Sequence, residues 1–268
     1  MKLLTSRMTT VATHTTVTAI IPARNEEGNI AAVVEALLRQ TTPSGHRLIT
    51  EIIVADNGST DRTAALAQAA GATVVFVPVV GYGGACWHAS EAAHGDVLLF
   101  VDGDGAANPN DAAAILNQIY AGADLVIGER TCPDPQSMSS VQRFGNAFAC
   151  ALIRLLWEAP VYDLGPYRAI RRAAYDAIDM RDRSFGWTVE MQVRAHLLRL
   201  RVAHVPVAWH ARASGDSKIS GTLGGVLGAG VGILGMVCRL WLQEHRRKRI
   251  QPTVFQVPVA AEAFSKKT

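Results

Sequence analysis

Asp102-Gly103-Asp104-Gly105 directly follows the apolar run Val97–Val101. Five apolar residues in a row predict a strand buried on both faces of a parallel sheet. Two carboxylates at its C-terminal end stand where open α/β sheets keep their ligands. The adjacent glycines permit a tight turn. Like charges this close repel unless a cation lies between them. A hard divalent ion, Mg²⁺ or Mn²⁺, bound through Asp104 and Asp102 is therefore expected, with phosphate oxygens filling its shell. A plain solvated Asx-Gly turn is the alternative from these four residues alone.

Two earlier segments end the same way. Val17–Ile21 breaks at Pro22-Ala23-Arg24-Asn25-Glu26, and Glu51–Ala55 ends at Asp56-Asn57-Gly58-Ser59-Thr60-Asp61. Three acidic strand tips make a ligand crevice along one sheet edge. Asp56 is placed to accept hydrogen bonds from a nucleobase edge. The second half supplies cations: Arg130, Arg143, Arg212 and Lys218. They exceed what one metal-bound diphosphate needs, so a second anionic substrate is expected. Asp163 and Glu190 are the candidate carboxylates for taking a proton from a hydroxyl acceptor.

The elements that must position these groups alternate through the first 130 or so residues. Apolar strands near 17–21, 51–55, 73–77, 97–101 and 124–127 are separated by helices, one opened by Pro109. Ser59 or Thr60 is expected to cap the second helix. This pattern predicts an α/β fold, a mostly parallel central sheet with helices on both faces. Neither GxxxxGK[ST] nor a GxGxxG after the first strand occurs, which argues against a P-loop or a Rossmann dinucleotide site. The second half reads as a long helix over 142–157, a short strand over 167–170, helices over 171–178 and 188–200, and a strand over 202–207.

Composition sets the outer limits. The 268 residues are 49% hydrophobic with a net charge of +3, too small by itself to imply nucleic acid. The four cysteines form no CxxC, which favours reduced thiols over a disulfide framework or a zinc site. Residues 1–16 read as a flexible leader, 17–220 as the main domain, 221–250 as a membrane-associated or interface helix, and 251–268 as a tail. The run from Leu223 to Cys238 carries no charge, and glycines recur every four residues at Gly224, Gly228 and Gly232. As a helix, 222–242 would reach about 31 Å, marginal for a bilayer. His245-Arg-Arg-Lys-Arg249 follows, a patch suited to anionic lipid. The glycine face also makes a homo-oligomer possible.

Taken together, the motifs resemble the inverting family 2 glycosyltransferases, and within them the dolichyl- and polyprenyl-phosphate mannosyl- and glucosyltransferases. Pro22-Ala-Arg-Asn-Glu26 matches the opening P-x-x-N-E turn, Asp56–Asp61 the D-x-G-S-x-D run, and Asp102-Gly-Asp104 the metal-binding D-x-D. Asp163-Leu-Gly-Pro-Tyr-Arg168, Phe185-Gly-Trp187 with Glu190, and Arg212-x-x-Gly215-x-Ser217-Lys218 follow in the family's order.

The resemblance implies a GT-A fold. Pro22, Ala23, Arg24, Asn25, Glu26 and Asp56 would hold the nucleotide, with Asp104 as main metal ligand and Asp102 toward ribose, diphosphate or metal. Arg130, Arg143, Arg212, Ser217 and Lys218 would face the diphosphate or an acceptor phosphate. The expected partners are UDP-glucose or GDP-mannose, a lipid phosphate and the cytoplasmic face of a membrane. Two departures stand out: the Gln usual two residues after D-x-D is Ala106, and the second Asp of DDGS is Asn57. A soluble enzyme acting on a small or glycan hydroxyl, a nucleotidyltransferase and a non-catalytic scaffold are the competing expectations.

Overall fold

A computed structural model describes residues 15–42, 44–132, 137–211 and 223–250. One seven-stranded sheet organises it, in the order β3-β2-β1-β4-β6-β5-β7. The first half alternates as expected: β1 (Val17–Ala23), α1 (Ile30–Leu38), β2 (Glu51–Asp56), α2 (Thr63–Ala69), β3 (Thr73–Phe76), α3 (Tyr82–Ala92), β4 (Val97–Phe100), α4 (Ala112–Tyr120) and β5 (Leu125–Thr131). β1 pairs in parallel with both β2 and β4. The strand order therefore reverses at β1, and the crevice at the carboxyl ends of β1 and β4 is a topological switch point.

Strands β1 and β4 are buried along their whole length, so their residues are apolar except Thr18, whose hydroxyl donates to Glu51 Oε2 at 2.5 Å. One apolar layer joins Ile21, Val34, Leu37, Leu99 and Ile115. The opposite layer joins Ile20, Leu98, Phe100, Ile127 and Trp187. The sheet thus has a core on each face.

The second half departs from a purely parallel arrangement. β6 (Arg168–Arg171) runs antiparallel between β4 and β5. β7 (Val202–Ala208) returns to parallel pairing beside β5, at the sheet edge, where Pro206 costs little. Strand β6 begins one residue later than its apolar pattern suggested. α6 (Arg172–Ile178) and α7 (Trp187–Leu197) follow it.

Helix α5 (Ser140–Trp157) begins in a full capping box: Ser139 Oγ takes the Gln142 N–H at 3.2 Å and Gln142 Oε1 takes the Ser139 N–H at 2.8 Å. At the other end Glu158 turns into the left-handed region at φ 56°. α2 starts differently from expectation. Ser59 and Thr60 do not cap it; Asp61 instead accepts the Thr63 N–H at 2.9 Å.

A helix, α8 (Leu223–Ile250), occupies the C-terminal segment. Among the described residues no helix is long and apolar enough to cross a membrane, so the apolar character expected of this segment is not supported. Met236, Val237 and Leu240 of α8 are buried with Ile153 and Trp157 of α5 and Val189 and Val193 of α7. Trp157 Nε1 donates to Glu244 Oε2 at 2.5 Å across the α5–α8 contact. The expected leader and tail fall largely outside the described residues.

Candidate active site

The turns after β1 and β2 are built as one piece. Asn25 sits at φ 52°, a left-handed conformation that asparagine tolerates better than most residues. Its N–H donates to Ser59 Oγ at 3.0 Å, and its Oδ1 accepts the Thr60 N–H at 2.8 Å. Glu26 N–H donates to Thr63 Oγ1 at 2.7 Å, while a Glu26 carboxylate oxygen accepts from Asn29 Nδ2 at 3.0 Å. Asp56, buried at the tip of β2, accepts the Ser59 N–H at 3.1 Å. Pro22, Ala23 and Glu26 are buried and Arg24 is exposed. Asn57, where the family motif has a second Asp, accepts the Gly81 N–H at 2.9 Å and so anchors the loop before α3.

The β4 tip joins this piece from the other side. A Cβ on Gly103 would lie 3.2 Å from Ile21 and 3.3 Å from Ala23, so the D-G-D turn packs directly on β1. Asp104 is buried and its Oδ1 accepts the Ala106 N–H at 3.0 Å. Asp102 Oδ1 accepts from the Tyr82 hydroxyl at 3.1 Å. Burial first, and the Asp102 charge second, hold the Tyr82 phenol well above its ordinary range, so it stays a donor. The buried Cys86 thiol is pushed up by the same two causes.

Ala106 belongs to the core, and its carbonyl accepts the His210 N–H at 2.8 Å. That position supplies no ligand. The bond brings His210, which no motif in the chain singles out, to the edge of the D-G-D loop. Among the described residues no group of three His, Cys, Asp or Glu is arranged around a metal site. The aspartates fit Mg²⁺ or Mn²⁺ as a pair of hard oxygen donors, with the rest of the shell left to phosphate and water.

Beyond the acidic tips lies a cleft of about 320 Å³, lined by Glu129, Arg130, Met138, Arg143, Tyr162 and Asp163 among others. It unites three residues singled out from sequence. Two of them are spent on each other: Asp163 accepts the Arg130 N–H at 2.8 Å, and the Arg130 guanidinium reaches Asp163 through Nε at 3.0 Å and Nη2 at 2.5 Å. Burial alone would lower the Arg130 pKa; Asp163, with Asp102 adding to it, raises it overall. Asn146 Oδ1 accepts from Arg130 Nη2 at 3.1 Å and from the Leu164 N–H at 3.0 Å. Arg143 reaches the cleft from α5. Glu129, on its rim, lies 2.9 Å from His204 Nδ1.

Arg130 is paired with Asp163, and both expected bases, Asp163 and Glu190, accept hydrogen bonds from protein donors. Glu190 is 1% exposed, accepts the N–H groups of Arg181 and Asp182 at 2.9 and 2.7 Å, and pairs with Arg194 at 2.9 Å. It ties α7 to the preceding loop. Arg212, Ser217 and Lys218 lie outside the described residues.

Arg168, given no separate role from sequence, is fully buried and bonds to the Gly165 and Thr188 carbonyls. Burial lowers its pKa to about 10, although Tyr82 and Asp163 work in the opposite direction. It fixes the loop that carries Asp163; its final place in the D-L-G-P-Y-R run was the available signal.

Comparisons with known proteins give the family and the fold. The family model described as Glycosyl transferase family 2 matches residues 18–178. An uncharacterized glycosyltransferase of Mycobacterium tuberculosis is 35% identical over 209 residues, 78% of this chain and 92% of that protein. A dolichyl-phosphate hexose transferase of Haloferax volcanii is 30% identical over 202 residues, 75% of this chain and 85% of that one. Among solved structures, glucosyl-3-phosphoglycerate synthase from Mycobacterium tuberculosis, crystallised with Mn²⁺, UDP-glucose and phosphoglyceric acid, superposes with a TM-score of 0.65 at 23% identity. That match covers 84% of this chain and 80% of the synthase. The mostly parallel sheet is the GT-A arrangement shared with that structure.

Proposed function

The chain belongs to glycosyltransferase family 2, and from that premise we propose that it transfers glucose or mannose from a nucleoside-diphosphate sugar to a polyprenyl phosphate, with inversion at the anomeric carbon. One observation carries most of the choice of acceptor. Both carboxylates suited to deprotonating a hydroxyl, Asp163 and Glu190, are engaged by protein donors. An acceptor that arrives already ionised needs no base, and a phosphate monoester, with its second pKa near 6, is such an acceptor. The likeness to a dolichyl-phosphate hexose transferase supports the same reading.

In this reading the clamped turns at Asn25–Glu26 and Asp56 hold the base and ribose of UDP-glucose or GDP-mannose. Asp104, with Asp102, would hold Mg²⁺ or Mn²⁺. The ion's chemistry is to neutralise charge on the departing diphosphate. Tyr82 keeps Asp102 oriented. Arg143, backed by the Arg130–Asp163 pair, orients the acceptor phosphate, and Arg212, Ser217 and Lys218 complete the grip. Positioning and desolvation in the cleft supply the remainder of the rate.

The test is a screen of UDP- and GDP-sugars with Mn²⁺ or Mg²⁺ against detergent-solubilised polyprenyl phosphate and a water-soluble phosphorylated hydroxyl acceptor, read by product mass. A hexosyl-phosphoryl lipid is expected. Product from the water-soluble acceptor alone would replace this reading, and release of pyrophosphate would point to nucleotidyl transfer.

A further inference from the structure

We propose that the outward face of α5 is a docking surface for an anionic lipid bilayer. This deepens the preceding reading, on which it rests, by naming a macromolecular partner, and its apolar residues lie outside the reaction site.

Helix α5 buries Ala149, Cys150, Ile153 and Trp157 inward. Its opposite face is also apolar: Val141 is 62% exposed, Phe144 72%, Phe148 49% and Leu155 78%. These residues recur at helical spacing on one face. Phe144 and Phe148 stack with ring centroids 6.2 Å apart, so the patch is preformed. On α8, which packs against α5, Val231 and Leu242 are also exposed. An exposed apolar surface of this kind marks an interaction site.

Charge selects the occupant. Between Ser140 and Trp157 the only ionisable side chains with full charge are Arg143 and Arg154, both exposed, and no acidic residue occurs. From Arg239 to Arg249 the α8 sequence carries five Lys or Arg against one acid, Glu244, whose carboxylate is bonded to Trp157. The exposed Glu158 caps the end of α5, but cations outnumber acids around the patch, which matches the interface of an anionic membrane. A second copy of the chain is disfavoured, since a two-fold contact would set cation against cation.

The position also makes chemical sense. Arg143, immediately before Phe144, lines the cleft, as does Tyr162, which is 58% exposed. With α5 lying on the bilayer, the cleft opens at headgroup depth, where the phosphate of a membrane-embedded acceptor resides.

The experiment floats the full chain with phosphatidylcholine vesicles, with and without phosphatidylglycerol. The variants are a Phe144→Ser/Phe148→Ser double substitution and a control, Tyr120→Ser, at an exposed aromatic on α4. The wild type and the control should float with anionic vesicles, and the double variant should partition roughly tenfold less or worse. Donor nucleotide titration and transfer to detergent-solubilised acceptor should be unchanged in the double variant, which separates docking from folding and catalysis. Wild type left behind by anionic vesicles, or a double variant that floats equally well, overturns the proposal. A wild-type dimer made monomeric by the double variant assigns the face to a second copy instead. Normal flotation with no lipid product in detergent would leave the docking surface standing and remove the acceptor assignment.

Discussion

Asp163 grips Arg130 at both ends: one carboxylate oxygen takes the arginine's backbone N–H at 2.8 Å, and both oxygens take its guanidinium. The pair is mostly buried, with side chains 15% and 9% exposed. Removing one partner strands the other, so Asp163→Ala and Arg130→Ala should each cost about 3–5 kcal/mol in chemical denaturation. The double variant should cost less than the sum. For Asp163→Asn the transfer rate should fall while the pH–rate profile keeps its shape. Disappearance of an acidic limb would restore Asp163 as a base.

Asp104→Ala should abolish metal-dependent donor binding. The loss in affinity should exceed the ~10–100-fold typical when a residue behind a metal ligand is removed. Calorimetric titration of the nucleotide sugar with and without Mn²⁺ measures it. Equal affinities for variant and wild type would remove Asp104 from the metal site.

Arg143→Ala, Arg212→Ala and Lys218→Ala should raise the acceptor KM or lower kcat by at least about tenfold, as expected for a lost charge-assisted contact. Donor Kd should stay within twofold or so in the same variants. Steady-state kinetics with each substrate varied in turn separates the two. A donor Kd that rises in step with the acceptor term would place these residues on the diphosphate.

Asp124 holds the start of β5 to Arg201, just ahead of β7, through bonds of 3.1 and 3.2 Å and the Arg201 N–H at 2.9 Å. Arg201 holds the Asp124 carboxyl below its ordinary 3.8, and burial opposes this only in part. A carboxylate whose pKa is depressed on folding contributes stability above its unfolded pKa and loses it as pH falls through the folded one. Asp124→Asn should therefore lower the melting temperature at neutral pH, with the gap to wild type closing as pH falls from about 3.8 through the depressed folded value. Parallel melting curves down to acid pH would show that the bond contributes nothing.

Leu240 is 5% exposed where α8 meets α5 and α7. Leu240→Ala should cost about 2–5 kcal/mol. Removing α8 altogether would uncover Ile153, Val189 and Val193, so loss of vesicle binding in such a truncation would not by itself identify a lipid contact. The exposed α5 aromatics are the cleaner probe.

The alternating first half, the acidic tips at Glu26, Asp56 and Asp102–Asp104, and the family of the chain are legible in the residues alone. These are written in near neighbours: apolar runs bounded by glycine, proline and asparagine, with motifs in a set order. The sequence alone does not determine what a carboxylate does once the chain has closed. Asp163 meets Arg130 from 33 residues away. Glu190 turns inward to the loop at Arg181–Asp182 because α7 packs against it. β6 enters the sheet antiparallel between β4 and β5, a placement that no local period encodes. Charge in a sequence is a count, whereas in the fold each charge is offset by whichever donors and acceptors packing brings within 3 Å or so. For that reason the cleft and its partners emerged only with the tertiary structure.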